Sequence, residues 1–414
     1  MVKRGQVLPR ISFSFLILLA ITLTVCSNRS SKKVAVDFWH VMSGPLGRRL
    51  DEMIDEFNAL HPAGRIVSVH MGSYDALVQK LMGAVASNNP PVIAQMYESW
   101  TDQFYEAGFL YPLEDFVKVD PGFALDDFFP VFIEDNTYNN KLVTLPFNKS
   151  IPVFYYNQDL IEQYGFQDFP ENWEDFRKLC DTLRYSGVWP TSWPIDVWYF
   201  STLLYQHGGA LLDETGNPQF HDDAGIRVLE YIVDLVKDSL LYLNPGFQRQ
   251  NEFLSGRVAI IPASVVSWAF VKDRPGFRMG VRPFPNGPRS ATVIAGTNIG
   301  MFARSSNDQK NLAWQFIRWF LQAENQMRWT EASYYLPTRQ SVRDLPAYHD
   351  FVSKNPGYAQ IVDQLEYANT EPKTQIWFTG RIYLNEALEE AIRLERTPEQ
   401  ALNYAARRIS VEQQ

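Results

Sequence analysis

Two residues that can do chemistry stand side by side in LPFNKSIPVFYYN (residues 145–157). Lys149 and Ser150 lie between Pro146 and Pro152, and the β-prone run VFYY follows at once. A serine beside a lysine can be a nucleophile and its base. It can equally be two hydrogen-bonding groups where the chain crosses between two bodies. Extended backbone sends neighbouring side chains to opposite faces, so Lys149 and Ser150 are expected to point apart and share no pocket. Catalytic company is lacking elsewhere: there is no Walker-type phosphate loop, GxSxG, HExxH or CxxC, and the six histidines form no metal-ligand spacing. Neither a metal nor a cofactor is expected.

Among the carboxylates, Glu98 in QMYESW follows an apolar strand, where a loop would enter a cleft. It suits an acceptor for ligand hydroxyls; a solvated loop residue or helix cap is the plainer alternative. A glycoside hydrolase would need a second carboxylate across the scissile bond, and no partner is identifiable in the sequence. Arg381 in WFTGRIYLNEALEEA is placed at the start of a predicted helix, where its guanidinium and free backbone N–H groups would oppose an anion. Its plainer role is a surface pair with Glu386. The chain holds 11 Trp, 20 Tyr and 28 Phe, and many occupy Pro- or Gly-rich places, including Trp39, Tyr74, Trp100, Trp193, Trp268 and Tyr335. Such faces stack on the CH faces of sugars or glycerol and hold quaternary ammonium groups. Core packing competes with ligand contact for each of them. A net charge of −9 gives non-specific nucleic-acid binding little support.

Several elements must position these residues. Lys3, Arg4 and Arg10 precede a 15-residue apolar run at 11–25, too short for a comfortable membrane span and suited to an export signal. LTVC followed by SNRSSKK resembles a bacterial lipoprotein signal in which Cys26 becomes the lipidated first residue, although Val25 departs from the usual small residue. Cys180 is then left without a partner and is expected to pack a helix. VAVDFWH reads as a strand; Leu50, Met53, Ile54 and Phe57 repeat at helical spacing after it; RIVSVHMG and PVIAQMY read as further strands separated by a helix. Alternation of this kind predicts an α/β fold with mainly parallel sheets. Extended passages near 145–152 and 290–300 predict two lobes joined by crossings, with a hinge and a ligand cleft between them.

VDFWHVMSGPLGRRLDEMIDEFNALHP, GSYDALVQKLMGAVASNNPPVIAQMYE, LPFNKSIPVFYYNQDL and ASYYLPTR, in this order, resemble the extracellular solute-binding proteins (family 1) of bacterial ABC importers. The branch that binds sn-glycerol 3-phosphate or glycerophosphodiesters such as glycerophosphocholine is the most similar. The resemblance runs from about residue 34 to the C-terminus. It implies a two-lobed periplasmic-binding-protein fold (type II) that captures a small polar solute without turnover and hands it to membrane permease subunits, with the ATPase subunit met only indirectly. By the resemblance, Tyr74 and Glu98 contact the glycerol end, Ser150 hydrogen-bonds solute at the crossing, Gly296 offers a backbone N–H, Tyr335 a phenol, and Arg381 opposes phosphate. Ser264 or Ser267 supplies a hydroxyl, and Trp193 a stacking wall. Expected boundaries are a signal at 1–25, a tether at 26–33, a first lobe at 34–148 and 297–345, and a second at 149–296 and 346–414. A lipid-anchored monomer, periplasmic or on the outer face of the cytoplasmic membrane, is expected. Lys149 and PASVVSWAF depart from the branch, and related branches bind maltose or trehalose.

Overall fold

The computed structural model describes Met1, residues 33–244 and residues 248–412. The expected signal at 1–25 and the lipidation site Cys26 therefore fall outside the described residues. From the N-terminal side run β1 (Val34–His40), β2 (Gly64–His70), β3 (Ile93–Met96) and β4 (Leu110–Tyr111), then a hairpin of β5 (Thr137–Tyr138) and β6 (Lys141–Leu142). Next come β7 (Leu145–Ser150) and β8 (Pro152–Asn157), followed by β9 (Trp189–Trp193), β10 (Leu241–Leu243), β11 (Val258–Ser264) and β12 (Met279–Pro283). β13 (Thr292–Val293) and β14 (Ala295–Phe302) carry the chain back, and β15 (Ala368–Asn369) pairs with β13.

Two sheets result. One is ordered β2-β1-β3-β14-β4 with β7 also on β14, and the other β10-β9-β11-β8-β12. β1 is parallel to β2 and β3, and β9 is parallel to β10 and β11, as the strand–helix alternation predicts. The sheets are nonetheless mixed rather than mainly parallel. β14 is antiparallel to β3, β4 and β7, and β8 is antiparallel to β11 and β12. The reversal occurs where strands cross between sheets, because a chain that leaves one lobe and returns enters the sheet against the direction of its βαβ units.

Each sheet carries its own core. Leu50, Met53, Ile54 and Phe57 face inward from the helix Gly44–Leu60 against Val36 and Phe38 of β1. In the second lobe the helix Trp173–Leu183 buries Phe176, Leu179 and Cys180 against Phe154 and Trp193. Cys180 is a buried free thiol whose pKa is pushed up by burial, in keeping with a packing role. A third cluster joins Phe129 and Phe132 to Ile151, Tyr155, Tyr334 and Tyr358, and so spans the crossing itself.

Candidate functional site

β7 ends at Ser150, a single residue, Ile151, follows, and β8 begins at Pro152 in the other sheet. The return crossing lies alongside: Ala295 is in register with Ser150, and Gly296 with Lys149. Gly296 has φ +115°, and a Cβ there would lie 1.9 Å from the Asn148 carbonyl oxygen. Only glycine lets the two strands approach this closely. The Leu336 N–H donates to the Lys149 carbonyl at 2.8 Å, which brings the segment holding Tyr335 against the same strand. Ser264, the last residue of β11, is in register with Pro152, and the Val266 side chain beside it packs against the first-lobe core. Residues from both lobes thus meet at the crossing.

The destination of the Lys149 side chain is informative. The ammonium is fully buried and donates to Asp135 Oδ2 at 2.6 Å and Glu98 Oε1 at 3.1 Å. Asn298 Nδ2 also donates to that Asp135 oxygen, at 3.1 Å. Glu98 opens the helix Glu98–Glu106 directly after β3. Burial, then the nearby Asp135 charge, push its carboxyl up to about 7, against the pull of Lys149. One ammonium shared by two carboxylates leaves Glu98 poised between its charged and neutral forms near neutral pH.

Around this ion pair stands a wall of phenols. Tyr74 opens the helix Tyr74–Ala86, whose N-cap Ser73 accepts from the Ala76 N–H at 3.2 Å. Its ring lies 4.7 Å from Tyr97 and 6.5 Å from Trp100 between centroids, and Tyr97 meets Trp100 edge-on at 5.2 Å. Tyr335 stacks on Trp329 at 6.0 Å, and its carbonyl accepts from Tyr358 Oη. Burial raises the pKa of both Tyr74 and Tyr335, so both phenols are neutral donors at ordinary pH. Each feels Asn148, and Tyr335 feels Tyr74, so the three lie together.

Gln95, Asn148 and Thr297 complete this side and were not singled out from the sequence. Gln95 Nε2 donates to Tyr74 Oη at 3.2 Å and to Asn148 Oδ1 at 3.3 Å. The Thr297 N–H and hydroxyl also donate to that Asn148 oxygen. Asn148 lies inside the PFNKS motif, so its position was visible although its role was not.

On the second lobe, Ser264 caps a short 3-10 turn by accepting from the Val266 N–H at 3.4 Å, and Ser267 Oγ accepts from Gln250 Nε2 at 3.2 Å. Both are partly exposed at the crossing. Arg381 is not at a helix start. Its helix runs Gln375–Ile392, which puts Arg381 in the second turn, beyond the free N–H groups. It pairs not with Glu386 but with Glu371 at 3.0 Å and Asp196 at 2.9 Å, while Glu386 pairs with Arg408. Trp377 Nε1 donates to the same Glu371 oxygen as Arg381, at 3.0 Å. Nearby Lys373 donates to the carbonyls of Glu134 and Thr137 at 2.6 and 2.7 Å, tying this segment to the other lobe. Trp193 offers no wall. It is 2 % exposed, packed among Phe154, Trp173 and Phe284, and its indole donates to Thr191 Oγ1 at 2.9 Å. A tryptophan flanked by proline in sequence has been consumed by the core.

Among the described residues no group of histidine, cysteine or carboxylate side chains is arranged to hold a metal ion. The constellation instead combines hydroxyls, phenols, amides and paired charges at a crossing between two lobes, a set suited to grasping a polar solute. Residues 52–360 match the family described as bacterial extracellular solute-binding protein. The sn-glycerol-3-phosphate-binding periplasmic protein UgpB of Escherichia coli (strain K12) is 25% identical over 428 aligned residues, covering 94% of each chain. UgpB from Mycobacterium tuberculosis, solved in complex with glycerophosphocholine, superposes with a TM-score of 0.81 at 24% identity over 91% of this chain and 98% of its own. The sugar-binding protein MalE from Xanthomonas citri superposes with a TM-score of 0.82 at 20% identity, over 91% and 96%.

Proposed function

The chain belongs to the bacterial extracellular solute-binding proteins, and from that premise we propose that it captures sn-glycerol 3-phosphate or a glycerophosphodiester such as glycerophosphocholine between its lobes. Membership makes it an exported protein that delivers a small polar solute to a membrane ABC permease. The observation that carries the ligand is the likeness to the E. coli sn-glycerol-3-phosphate-binding protein across 94% of both chains. In this reading Tyr74, Glu98, Ser150, Tyr335 and the Gly296 N–H hold the glycerol end at the crossing, and Ser264 or Ser267 reaches it from the second lobe. Arg381 exchanges one of its two carboxylates for phosphate. Lobe closure follows from the tighter grip of solute on the closed form, with no chemical step. The lobes divide near residues 148 and 296, and lipidation at Cys26 tethers a monomeric body to the membrane.

The Arg381 arrangement favours one second reading. Its guanidinium is already met by Glu371 and Asp196, which repel an incoming anion, so a neutral polyol or oligosaccharide is the alternative cargo. Calorimetric titration of the soluble body with glycerol 3-phosphate, glycerophosphocholine, maltose and trehalose separates the two. Arg381→Ala should cost a phosphorylated ligand at least about tenfold in affinity and a neutral sugar little. Heat with neutral sugars alone would end the phosphate assignment.

A further inference from the structure

Backbone N–H groups can only donate, and two of them fix the orientation of the buried amides beside the phenols. The Val41 N–H donates to Gln95 Oε1 at 2.9 Å, so the Gln95 amine must be the end that reaches Tyr74 Oη. The Thr297 N–H donates to Asn148 Oδ1 at 3.1 Å, so the Asn148 amine faces the other way. Asn148 is 1 % exposed, and its Nδ2 has no hydrogen bond of acceptable geometry. A buried amine left open in this way is an anomaly that calls for an acceptor. The adjacent strand presses Tyr335 against β7 through the Leu336–Lys149 bond.

We propose that Gln95 sets the hydrogen-bonding polarity of the cleft: its amide NH2 occupies the oxygen of Tyr74 as donor, leaving the phenol proton to be donated to solute, while the unpartnered Asn148 NH2 beside it offers a second donor. The first lobe therefore presents donors to acceptor oxygens at the glycerol end of the solute and disfavours a donor-only group such as an ammonium. Gln95 need not touch the solute; it is a positioning residue. Tyr97 packs on the same phenol, its ring centroid 4.7 Å from that of Tyr74. The inference rests on the proposal that solute lies between the lobes.

A double-mutant cycle tests it. Gln95→Met removes the donor while retaining the length of the side chain, and Tyr74→Phe removes the phenol. With glycerol 3-phosphate as probe, Tyr74→Phe should weaken binding more than about tenfold in the natural protein but less than about threefold in the Gln95→Met background. Equal losses in both backgrounds would overturn the proposal. Gln95→Glu supplies a second variant: its carboxyl donates when protonated and accepts when ionised, so affinity should recover as pH falls, and a pH-independent loss would count against a polarity role. The phenols are also read without solute. The Tyr74 Cζ carbon resonance, assigned by its loss in Tyr74→Phe, should move in Gln95→Met, and an unmoved resonance would refute the donor assignment. If none of the four solutes above binds, the proposed function fails while this resonance still decides the polarity.

Discussion

Replacing Lys149 by methionine keeps the aliphatic stem in place and removes the ammonium that Asp135 and Glu98 share at 2.6 and 3.1 Å. Breaking a buried ion pair by deleting one partner costs about 3–5 kcal/mol, because the remaining charge loses its compensation. Here the remaining charges number two, so the loss depends on pH. Glu98 titrates near 7 in the folded protein against an ordinary value of 4.5. A carboxyl whose folded pKa is raised binds its proton more tightly in the fold. Its stabilising contribution is fully present below about 4.5 and is lost as pH rises through about 7. Without Lys149 the folded pKa moves higher still. At pH 5 Glu98 is neutral and only Asp135, which keeps its bond from Asn298, is left uncompensated. At pH 8 both carboxylates are charged or must take up protons at a cost. Lys149→Met is therefore expected to destabilise by about 3–5 kcal/mol at pH 8 and by at least ~1 kcal/mol less at pH 5. Denaturant unfolding followed by tryptophan fluorescence at the two pH values measures both quantities. Asp135→Asn added to Lys149→Met should restore part of the pH 8 loss. A loss under about 1 kcal/mol, or the same loss at both pH values, would refute the electrostatic account.

Two further outcomes follow from the same region. His40 is buried, accepts the Met42 N–H on Nδ1 and meets Ser68 Oγ through Nε2, and burial pulls its pKa down to about 4 from 6.5. Its contribution is fully present above about 6.5 and lost as pH falls through about 4; an interval of that width is worth about 3 kcal/mol, and unfolding of His40→Gln should show a flatter acid limb. Gly296→Ala places a methyl group against the Asn148 carbonyl at positive φ and should cost more than about 2 kcal/mol by thermal or denaturant unfolding, with weaker solute binding.

The local pattern of the chain was readable and its distant pairings were not. The inward face of Gly44–Leu60 follows from residues three and four apart, and the crossing at Ile151 from a proline-punctuated extended run. Glu98 follows an apolar strand as read from the sequence, but it opens a helix there where a loop was expected. What decides the charge state of the site escaped because it is long-range. Arg381 meets Asp196 from a helix start in another part of the lobe, and Lys149 meets Asp135 and Glu98 across two helix ends. Trp193 went astray for a different reason: composition cannot distinguish a ring that lines a cleft from one that fills a core, and the second lobe needed it to cover Phe154. Arg381 was misplaced because its helix begins at Gln375, more than a turn ahead of it.

Two of the passages between lobes are each one residue long: Ile151 separates β7 from β8, and Ile294 separates β13 from β14. Both isoleucines are buried in the cluster that spans the crossing, and the strands just inside the first lobe are clamped by Asn148, Lys149 and Gly296. Angular motion between the bodies at these two passages must then be taken up by a few backbone torsions rather than spread along long linkers. The protein is thereby built as a lever with a short fulcrum, in which a small torsional change at two isoleucines becomes a large displacement at the outer rims. Compliance at that fulcrum is set in part by Asn148 and Gly296, which also stand at the solute site, so stiffness and selectivity are coupled there.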